Sequence, residues 1–158
     1  MAETLTGGCQ CGAVRYRAIW YAAASAYWCH CRMCQRAVGN VAAALVNVNK
    51  ADVEWTRAMP TYFASSAIGM RGFCAACGTP LTFAYADSER MDLTVGSLDE
   101  PERMALSSHF GVESWVPGWI PHDDLPTQAA ESYAPLLARR TRAEAASVDH
   151  ETAGDTAE

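Results

Sequence analysis

The sequence contains very little lysine and no long apolar run, and each shortage excludes a class of function. Lys50 is the only lysine, and the 158-residue chain carries a formal net charge of −6 at pH 7. Because phosphate binding needs clustered lysine and arginine, nucleic acid is not expected as a partner. The longest mostly apolar stretch, residues 41–48, is far shorter than the roughly 20 residues of a membrane-spanning helix, so we expect no membrane association either.

Residues 1–8 contain neither a basic nor an apolar segment, so we expect no secretory signal and a cytoplasmic protein. In that reducing compartment, closely spaced cysteines are more often metal ligands or catalytic groups than disulfide partners. Arg139, Arg140 and Arg142 form a charge cluster, but acidic residues follow it, which is typical of a solvated tail rather than of a binding patch.

The pattern of the chain predicts one all-β domain followed by a tail. Short β-type segments are separated by Gly, Pro, Asn and Asp, and Val14, Tyr16 and Ala18 alternate with residues on the opposite face, as in a half-buried strand. Residues 34–38 could form one helical turn that Gly39 ends. After about residue 137 the sequence becomes rich in Ala, Arg and polar residues. We therefore assign residues 1–137 to the domain and expect residues 138–158 to be a disordered tail.

Seven cysteines in three tight clusters are the main indication of function. Four thiolates close a tetrahedral zinc site, whereas three leave one coordination position open. Seven cysteines therefore divide into a closed site, which stabilises a fold, and an open site, which can bind a molecule from solution. We call the first group the cysteine quartet and the second the cysteine triplet. The quartet is Cys9, Cys11, Cys74 and Cys77, and the triplet is Cys29, Cys31 and Cys34.

The quartet combines two pairs that are far apart in the sequence. Cys74 and Cys77 can hold one metal ion if the chain turns sharply between them, and Gly78 permits the positive φ of such a turn. In an extended strand, residues two apart point to the same face, so Cys9 and Cys11 can share a metal as well. The alternatives for these four residues are a redox dithiol or buried free thiols.

The triplet cannot complete a tetrahedron without a fourth ligand. Three thiolates around Zn²⁺ leave a single negative charge, which makes the metal a weak Lewis acid and suits it to binding a soft ligand such as a substrate thiolate. Zinc coordination also keeps a bound thiol deprotonated near neutral pH, although a free thiol has a pKa of about 8.5. The alternatives are a second structural zinc closed by a histidine and a metal-free thiol cluster.

Three histidines could supply that fourth ligand. His30 lies between Cys29 and Cys31, so in extended chain its side chain points the opposite way, and we expect it outside the metal site. His109 and His122 lie far along the sequence, where a structural role is the simpler expectation. His109 and bound water are also candidate proton shuttles.

The cysteine clusters and their neighbours, taken together, resemble one protein family. The matching segments are residues 7–16, which read Gly-Gly-Cys-Gln-Cys-Gly-Ala-Val-Arg-Tyr, residues 29–39, which read Cys-His-Cys-Arg-Met-Cys-Gln-Arg-Ala-Val-Gly, and residues 71–81, which read Arg-Gly-Phe-Cys-Ala-Ala-Cys-Gly-Thr-Pro-Leu. This order of motifs resembles the glutathione-dependent formaldehyde-activating enzymes, a family that also includes centromere protein V. With weaker matches such as Ser108-His109-Phe110, the resemblance extends over residues 5–126.

The resemblance implies a β-tent fold, built of antiparallel sheets with little helix. It implies a structural zinc in the quartet and a catalytic zinc in the triplet, which makes two zinc ions per chain. The family's named activity joins glutathione and formaldehyde into S-hydroxymethylglutathione, and this is a carbon–sulfur lyase reaction when it is written in reverse.

Our hypothesis from the sequence is a two-zinc enzyme that acts on the adduct of an aldehyde with glutathione or a similar thiol. Arginine can form two hydrogen bonds to a carboxylate, and glutathione has two carboxylates. Arg36 and Arg71 are therefore candidate substrate contacts, although they could instead pair with the protein's own acidic residues. Two rival hypotheses are a zinc-stabilised module that binds another protein and a redox sensor built on the triplet. The sequence predicts no oligomeric state.

Overall fold

Short strands make up most of the molecule, as the alternating sequence pattern predicts. A computed structural model of the chain describes residues 2–21, 26–120 and 123–154. The mostly β class expected from the sequence is confirmed, and the sheets are not closed. The helices are α1 (Arg32–Val38) and α2 (Ala134–Gly154). The strands are β1 (Ala2–Gly8), β2 (Arg15–Tyr21), β3 (Ala26–Cys29), β4 (Ala43–Asn49), β5 (Val53–Trp55), β6 (Thr61–Ala64), β7 (Gly69–Phe73), β8 (Pro80–Tyr85), β9 (Arg90–Thr94), β10 (Leu106–Phe110) and β11 (Thr127–Gln128).

The strands form two open sheets. The smaller sheet has the order β1-β2-β5 and is antiparallel. The larger sheet has the order β11-β10-β3-β4-β9-β8-β7-β6. Its strand pairs are antiparallel in the described part of the chain, except that β10 runs parallel to both β3 and β11.

Strand β10 departs from the purely antiparallel sheets that the resemblance implies. Strands β9 and β3 each pair antiparallel with β4, so they point the same way. The chain leaves β9, crosses the sheet through residues 95–105 and enters β10 in that same direction. A parallel pair requires a crossover of this kind. It brings Phe110 opposite Cys29 and so places β10 beside the triplet.

The main hydrophobic core lies between the two sheets. The smaller sheet contributes Leu5, Tyr16 and Ala18, and the larger sheet contributes side chains such as Leu93. These four residues are buried, and removal of apolar surface from water stabilises such a core by roughly 25 cal/mol per Å². Val14 is buried as well, so the alternation predicted for β2 and the residue before it is confirmed.

A second, smaller apolar cluster surrounds the triplet. Cys29 and Cys34 pack there with Leu45 of β4, while Tyr27 and Phe110 pack against this group. The triplet therefore lies at the end of β3 and packs against this apolar cluster, which is separate from the core between the sheets.

The helical turn expected near the triplet is the seven-residue helix α1. It begins after Cys31, whose sulfur accepts a hydrogen bond from the backbone N–H of Cys34 at 3.4 Å. It ends at Gly39, whose φ of 64° lies in the left-handed region that favours glycine. The helix starts two residues earlier than the sequence analysis expects, and it folds Cys34 back toward Cys29.

Residues 134–154 form helix α2, where the sequence analysis expects disorder from residue 138 onward. The composition of this segment suggests disorder because it has few residues that could form a core. The same composition favours a helix, however, because alanine and arginine have high helix propensity. Leu136 is buried, and Tyr133 packs edge-on against Phe110 with ring centroids 5.4 Å apart. The division of the chain at residue 137 stays a prediction, and residues 155–158 lie outside the described part.

Two ion pairs hold α2 against the loop that follows β8. Arg139 Nε and Arg142 Nη2 lie 2.7 Å and 2.8 Å from the two carboxylate oxygens of Asp87. The Arg139 guanidinium also lies 4.3 Å from the ring centroid of Tyr85. Hydrogen bonding from Arg139 lowers the pKa of Asp87 below its usual value. Neither α1 nor α2, as far as the structure describes them, is long and apolar enough to cross a membrane.

Leu136→Ala should loosen α2 selectively, because Leu136 is 6% exposed and is the one buried side chain among residues 134–147 of that helix. Loss of this contact should accelerate hydrogen–deuterium exchange of the amides of residues 136–146 by about 10-fold, while β4 and β9 exchange as before. The matched control is Leu137→Ala, since the neighbouring Leu137 is 39% exposed and its truncation should change little. Equal acceleration in both variants would show that α2 does not dock through Leu136.

Candidate metal and substrate site

The four sulfurs of the quartet converge on one point. All lie within 4.8 Å of one another. The sulfurs of Cys9 and Cys11 are 3.5 Å apart, and those of Cys11 and Cys74 are 3.8 Å apart. Sulfur ligands at about 2.3 Å from a tetrahedral zinc ion lie about 3.8 Å from each other. The quartet therefore fits a closed tetrahedral metal site.

Two tight turns supply these sulfurs. In the turn between β7 and β8, Gly78 has a φ of 77° and donates its N–H to the carbonyl of Cys74 at 2.8 Å. The pair after β1 lies in a turn as well, rather than in the extended strand that we expected, because Gly12 has a φ of 76° and donates its N–H to the carbonyl of Cys9. Both glycines occupy the left-handed region, as predicted for Gly78, and side chains with a Cβ would be strained there.

The quartet also belongs to the main core. Cys9 and Cys74 are buried members of the core cluster, whereas Cys11 and Cys77 are exposed. The site thus joins the turn after β1, in the smaller sheet, to the β7–β8 hairpin of the larger sheet.

The three sulfurs of the triplet converge in the same way, within 4.8 Å of one another. Cys29 ends β3, Cys31 immediately precedes α1, and Cys34 lies in the first turn of α1. In the described part of the chain, no histidine or carboxylate ligand atom joins these sulfurs. The triplet therefore offers three of the four positions of a tetrahedron.

The triplet sulfurs compete for protons. Hydrogen bonding with Cys29, followed by that with Cys34, lowers the pKa of Cys31 to about 2. Hydrogen bonding with Cys31 raises the pKa of Cys29 far above its ordinary value. The cluster readily becomes a single thiolate but resists the loss of further protons. A cation is needed to keep all three as thiolates at neutral pH, as in a metal site.

Arg71 brings a positive charge into contact with the triplet. Its Nη2 donates to the Cys34 sulfur at 3.3 Å, and its guanidinium lies 4.7 Å from the ring centroid of Phe83. Arg71 is 6% exposed, and its Nε has no hydrogen-bond partner among the described residues. Because buried polar groups are normally hydrogen-bonded, an unsatisfied Nε is unusual at this position.

His30 points away from the triplet sulfurs, as the alternation along the chain predicts. Its Nε2 lies 2.9 Å from Nδ1 of His109, and its ring stacks on Trp115 with centroids 4.1 Å apart. Nε2 of His109 lies 3.2 Å from a carboxylate oxygen of Asp123. Both ring nitrogens of His109 have protein partners, and His109 also lines the cavity beside the triplet, so its role as a proton shuttle stays a prediction. His122 lies outside the described residues.

A cavity of about 1030 Å³ opens onto the triplet. All three triplet cysteines line it, as do Arg71, Tyr27 and Asp92 of the larger sheet. Helix α2 forms another wall, with residues between Leu136 and Ser147. Ligand cavities typically measure roughly 300–1,000 Å³, so this one has room for a molecule as large as a tripeptide.

The two predicted substrate contacts lie in different places. Arg71 lines the cavity, whereas Arg36 is an exposed residue of α1 outside its lining. Arg32, one helical turn earlier, lines the cavity instead, and its guanidinium donates to the side-chain oxygen of Gln35.

Asp92 is a buried carboxyl group of the cavity wall that the sequence analysis did not single out. It lies on β9 opposite Asn47 of β4, whose side-chain amide donates to it at 2.8 Å. Burial raises the pKa of Asp92 above its ordinary value, against the hydrogen bonds of Asn47 and Tyr27 and the charges of Arg90 and Arg71. No local motif marks Asp92, because its neighbours come from strands distant in sequence.

Comparison with known proteins decides the family. The sequence profile of the glutathione-dependent formaldehyde-activating enzymes matches residues 4–114. The chain belongs to that family. It is also similar to a Rhodobacter sphaeroides protein of known crystal structure, with 22% sequence identity, coverage of 77% of this chain and 98% of that one, and a TM-score of 0.48. No relative among the curated proteins matches.

In this member of the family, both cysteine groups could bind zinc. Thiolate sulfur is a ligand that tetrahedral zinc prefers, and the sulfur spacings in both groups suit a single ion. The family profile covers both groups but ends before α2. The metal ligands thus lie in the part shared with the family, and one wall of the cavity lies beyond it.

Asp92→Asn should change stability in a pH-dependent way. Because burial raises the pKa of Asp92 in the folded protein, the ionised carboxylate disfavours the folded state above that pKa and has no such effect below the unfolded pKa of about 4. The melting temperature of the variant, relative to the unmodified protein, should therefore rise as the pH increases above about 4 and become constant once the pH exceeds the raised pKa of Asp92. Differential scanning fluorimetry measures this difference. If the difference in melting temperature stays constant with pH, ionisation of Asp92 does not destabilise the folded state.

Proposed function

We propose that this chain is a zinc-dependent enzyme that joins an aldehyde to the sulfur of glutathione or a similar thiol, and hence a carbon–sulfur lyase in the reverse direction. Family membership supports a role related to glutathione and formaldehyde. The observation that carries the proposal is a large cavity that opens onto three sulfurs with no fourth ligand among the described residues. An open position at a zinc site can take a molecule from solution.

The triplet would hold the catalytic zinc. When bound there, zinc supplies the positive charge that keeps the sulfur of an incoming thiol deprotonated near neutral pH. Three thiolates exceed the charge of Zn²⁺ and would repel a fourth. The Arg71 guanidinium, 3.3 Å from the Cys34 sulfur, offsets this excess and favours the approach of another anionic sulfur.

The reaction forms one bond and moves one proton. The thiolate sulfur donates an electron pair to the aldehyde carbon, and the C–S bond forms. The electron pair of the C=O π bond moves to oxygen, which takes a proton and becomes the hydroxyl group of the product. This proton balances the one that the thiol releases to water when it becomes a thiolate. Because one cavity holds both reactants, orientation accounts for much of the acceleration.

Asp92 is the candidate donor of that proton. It lines the cavity together with the triplet, and its raised pKa keeps the carboxyl group protonated to higher pH than an exposed one. Tyr27 hydrogen-bonds to Asp92 and lies two residues from Cys29 on the same face of β3, which connects the carboxyl group to the triplet. In the reverse direction, Asp92 takes the proton from the hydroxyl group.

The quartet would hold a structural zinc. Zinc binding contributes roughly 10–16 kcal/mol in zinc-finger peptides near neutral pH, which is comparable to the net stability of a whole domain, about 5–15 kcal/mol. Because the quartet joins the two sheets through core residues, loss of its metal should unfold the domain.

Cys31→Ser and Cys77→Ser should therefore have different effects. Cys31→Ser should leave a folded protein without activity, because only the triplet is incomplete. Cys77→Ser should give aggregated protein, because the quartet can no longer close. Zinc content, thermal melting and turnover of the two variants check this. Matching behaviour of the two variants would show that the assigned roles are wrong.

The activity itself is tested by NMR exchange spectroscopy of formaldehyde with glutathione. The zinc-loaded protein should accelerate the exchange above the uncatalysed rate, and Cys31→Ser should not. If the protein holds two zinc ions but does not accelerate the exchange of formaldehyde with any thiol tested, the hypothesis of a non-catalytic binding module replaces that of an enzyme. A single zinc ion together with three alkylatable triplet thiols would instead support the redox sensor.

A further inference from the structure

Arginines without a carboxylate partner are concentrated around the cavity. In a protein with a net charge of −6, arginines are expected to pair with acidic side chains, and several do. The ion-paired arginines are Arg15, Arg17, Arg103, Arg139 and Arg142. Six arginines form no ion pair with a described carboxylate within 4 Å. Two of them are exposed and lie outside the cavity lining, and the other four line the cavity. The first two are Arg36 and Arg57, and the other four are Arg32, Arg71, Arg90 and Arg140.

Arg90 is held in position by neutral groups. Its Nε donates to the side-chain oxygen of Asn47, its Nη1 donates to that of Asn49 at 3.0 Å, and its Nη2 donates to the backbone carbonyl of Asn47 at 3.4 Å. These acceptors fix the guanidinium without neutralising it. A fixed arginine loses less conformational entropy on binding an anion than a mobile one.

Arg140 brings a second unpaired charge from α2. Residues one helical turn apart share a face, whereas residues two apart point about 200° away from each other. Arg140 accordingly lines the cavity, while Arg142 does not line it and pairs with Asp87. The contact of Arg139 with Tyr85 and Asp87 holds this turn of α2 over the cavity.

The acidic side chains of the cavity do not neutralise these arginines. Asp92 is buried and accepts a hydrogen bond from Asn47. Glu113 accepts a hydrogen bond from the backbone N–H of Ala130 at 2.9 Å. Glu144, one turn after Arg140 on α2, forms no ion pair with a described residue. The arginine charges therefore remain for a bound molecule.

The triplet and the arginines face one common space. Burial raises the pKa of Tyr85 to about 12, and the charges of Arg139, Asp92 and Cys29 also act on its hydroxyl group. The charges of Arg90 and Arg71 both act on Asp92. The triplet, Arg90 and Arg140 all line the same cavity of about 1030 Å³, so one molecule can contact both the sulfurs and these arginines.

We propose that Arg90 and Arg140 form an anion subsite that binds a carboxylate of the thiol substrate while its sulfur lies at the triplet beside Arg71. The planar guanidinium forms two parallel hydrogen bonds to a carboxylate. The substrate class is thus a thiol that bears one or more carboxylates. The placement of the substrate's sulfur at the triplet rests on the proposed function, whereas the anion subsite can be tested separately.

The test measures binding to the zinc-loaded full-length protein by isothermal titration calorimetry. The ligands are glutathione, S-methylglutathione, which keeps both carboxylates but has no thiol, and the uncharged thiol 2-mercaptoethanol. The variants are Arg90→Gln and Arg140→Gln. The matched control is Arg57→Gln, because Arg57 also forms no ion pair with a described carboxylate but lies outside the cavity lining. Zinc content and thermal melting confirm that each variant is folded.

Arg90→Gln and Arg140→Gln should each weaken binding of glutathione and S-methylglutathione by about 5- to 10-fold, as expected for the loss of one charged hydrogen-bond donor. Neither variant should alter binding of 2-mercaptoethanol, and both should reduce the salt dependence of glutathione binding. The proposal is overturned if the two variants bind S-methylglutathione like the unmodified protein, or if Arg57→Gln loses as much affinity.

The same measurements keep the two proposals distinct. If S-methylglutathione binding depends on both arginines but the protein does not accelerate the formaldehyde exchange, the anion subsite stands and the proposed function fails. If the protein accelerates the exchange but both variants keep the KM for glutathione unchanged, the function stands and the subsite fails.

Discussion

Thiolate sulfurs brought together by tight turns are the constraint on which the rest of the structure depends. The quartet connects residues from the beginning and the middle of the chain, and two of its members are core residues. The convergence of the quartet sulfurs and the burial of the core therefore depend on the same packing of the two sheets. A shift of either sheet would separate the sulfurs. The cysteine groups could bind zinc, and a metal bound at the quartet would add to the stability that apolar burial provides.

The triplet brings sulfurs together by a different local structure. Its sulfurs come from a strand end and a seven-residue helix, so only a few backbone positions determine their spacing. His30 lies between two of them and points the other way, where it meets His109 and Trp115. One face of this short segment presents sulfur to the cavity, and the other face fastens the segment to the rest of the fold. The sulfurs are thus held before any ligand arrives, which lowers the entropic cost of binding.

The features that could be predicted from the sequence are the local ones. Cysteine spacing predicts the two groups of sulfurs, Gly78 predicts the sharp turn, and alternation predicts the orientation of His30. Features that depend on distant contacts could not be predicted. Arg90 and Asp92 line the cavity because β9 lies beside β4 in one particular register. The phase of α1, which separates Arg32 from Arg36, depends on where the helix begins. The composition of residues 138–154 suits a solvated chain and a helix equally, and the contact with Asp87 decides between them.

Helix α2 walls the cavity but lies beyond the part of the chain that matches the family. The cysteine groups and this wall of the cavity are therefore encoded in separate stretches of sequence. Substitutions in α2, or in the loop that carries Asp87, can change the shape of the cavity without displacing any of the cysteine sulfurs. Members of the family can therefore diverge in a peripheral helix while they keep the same cysteine groups.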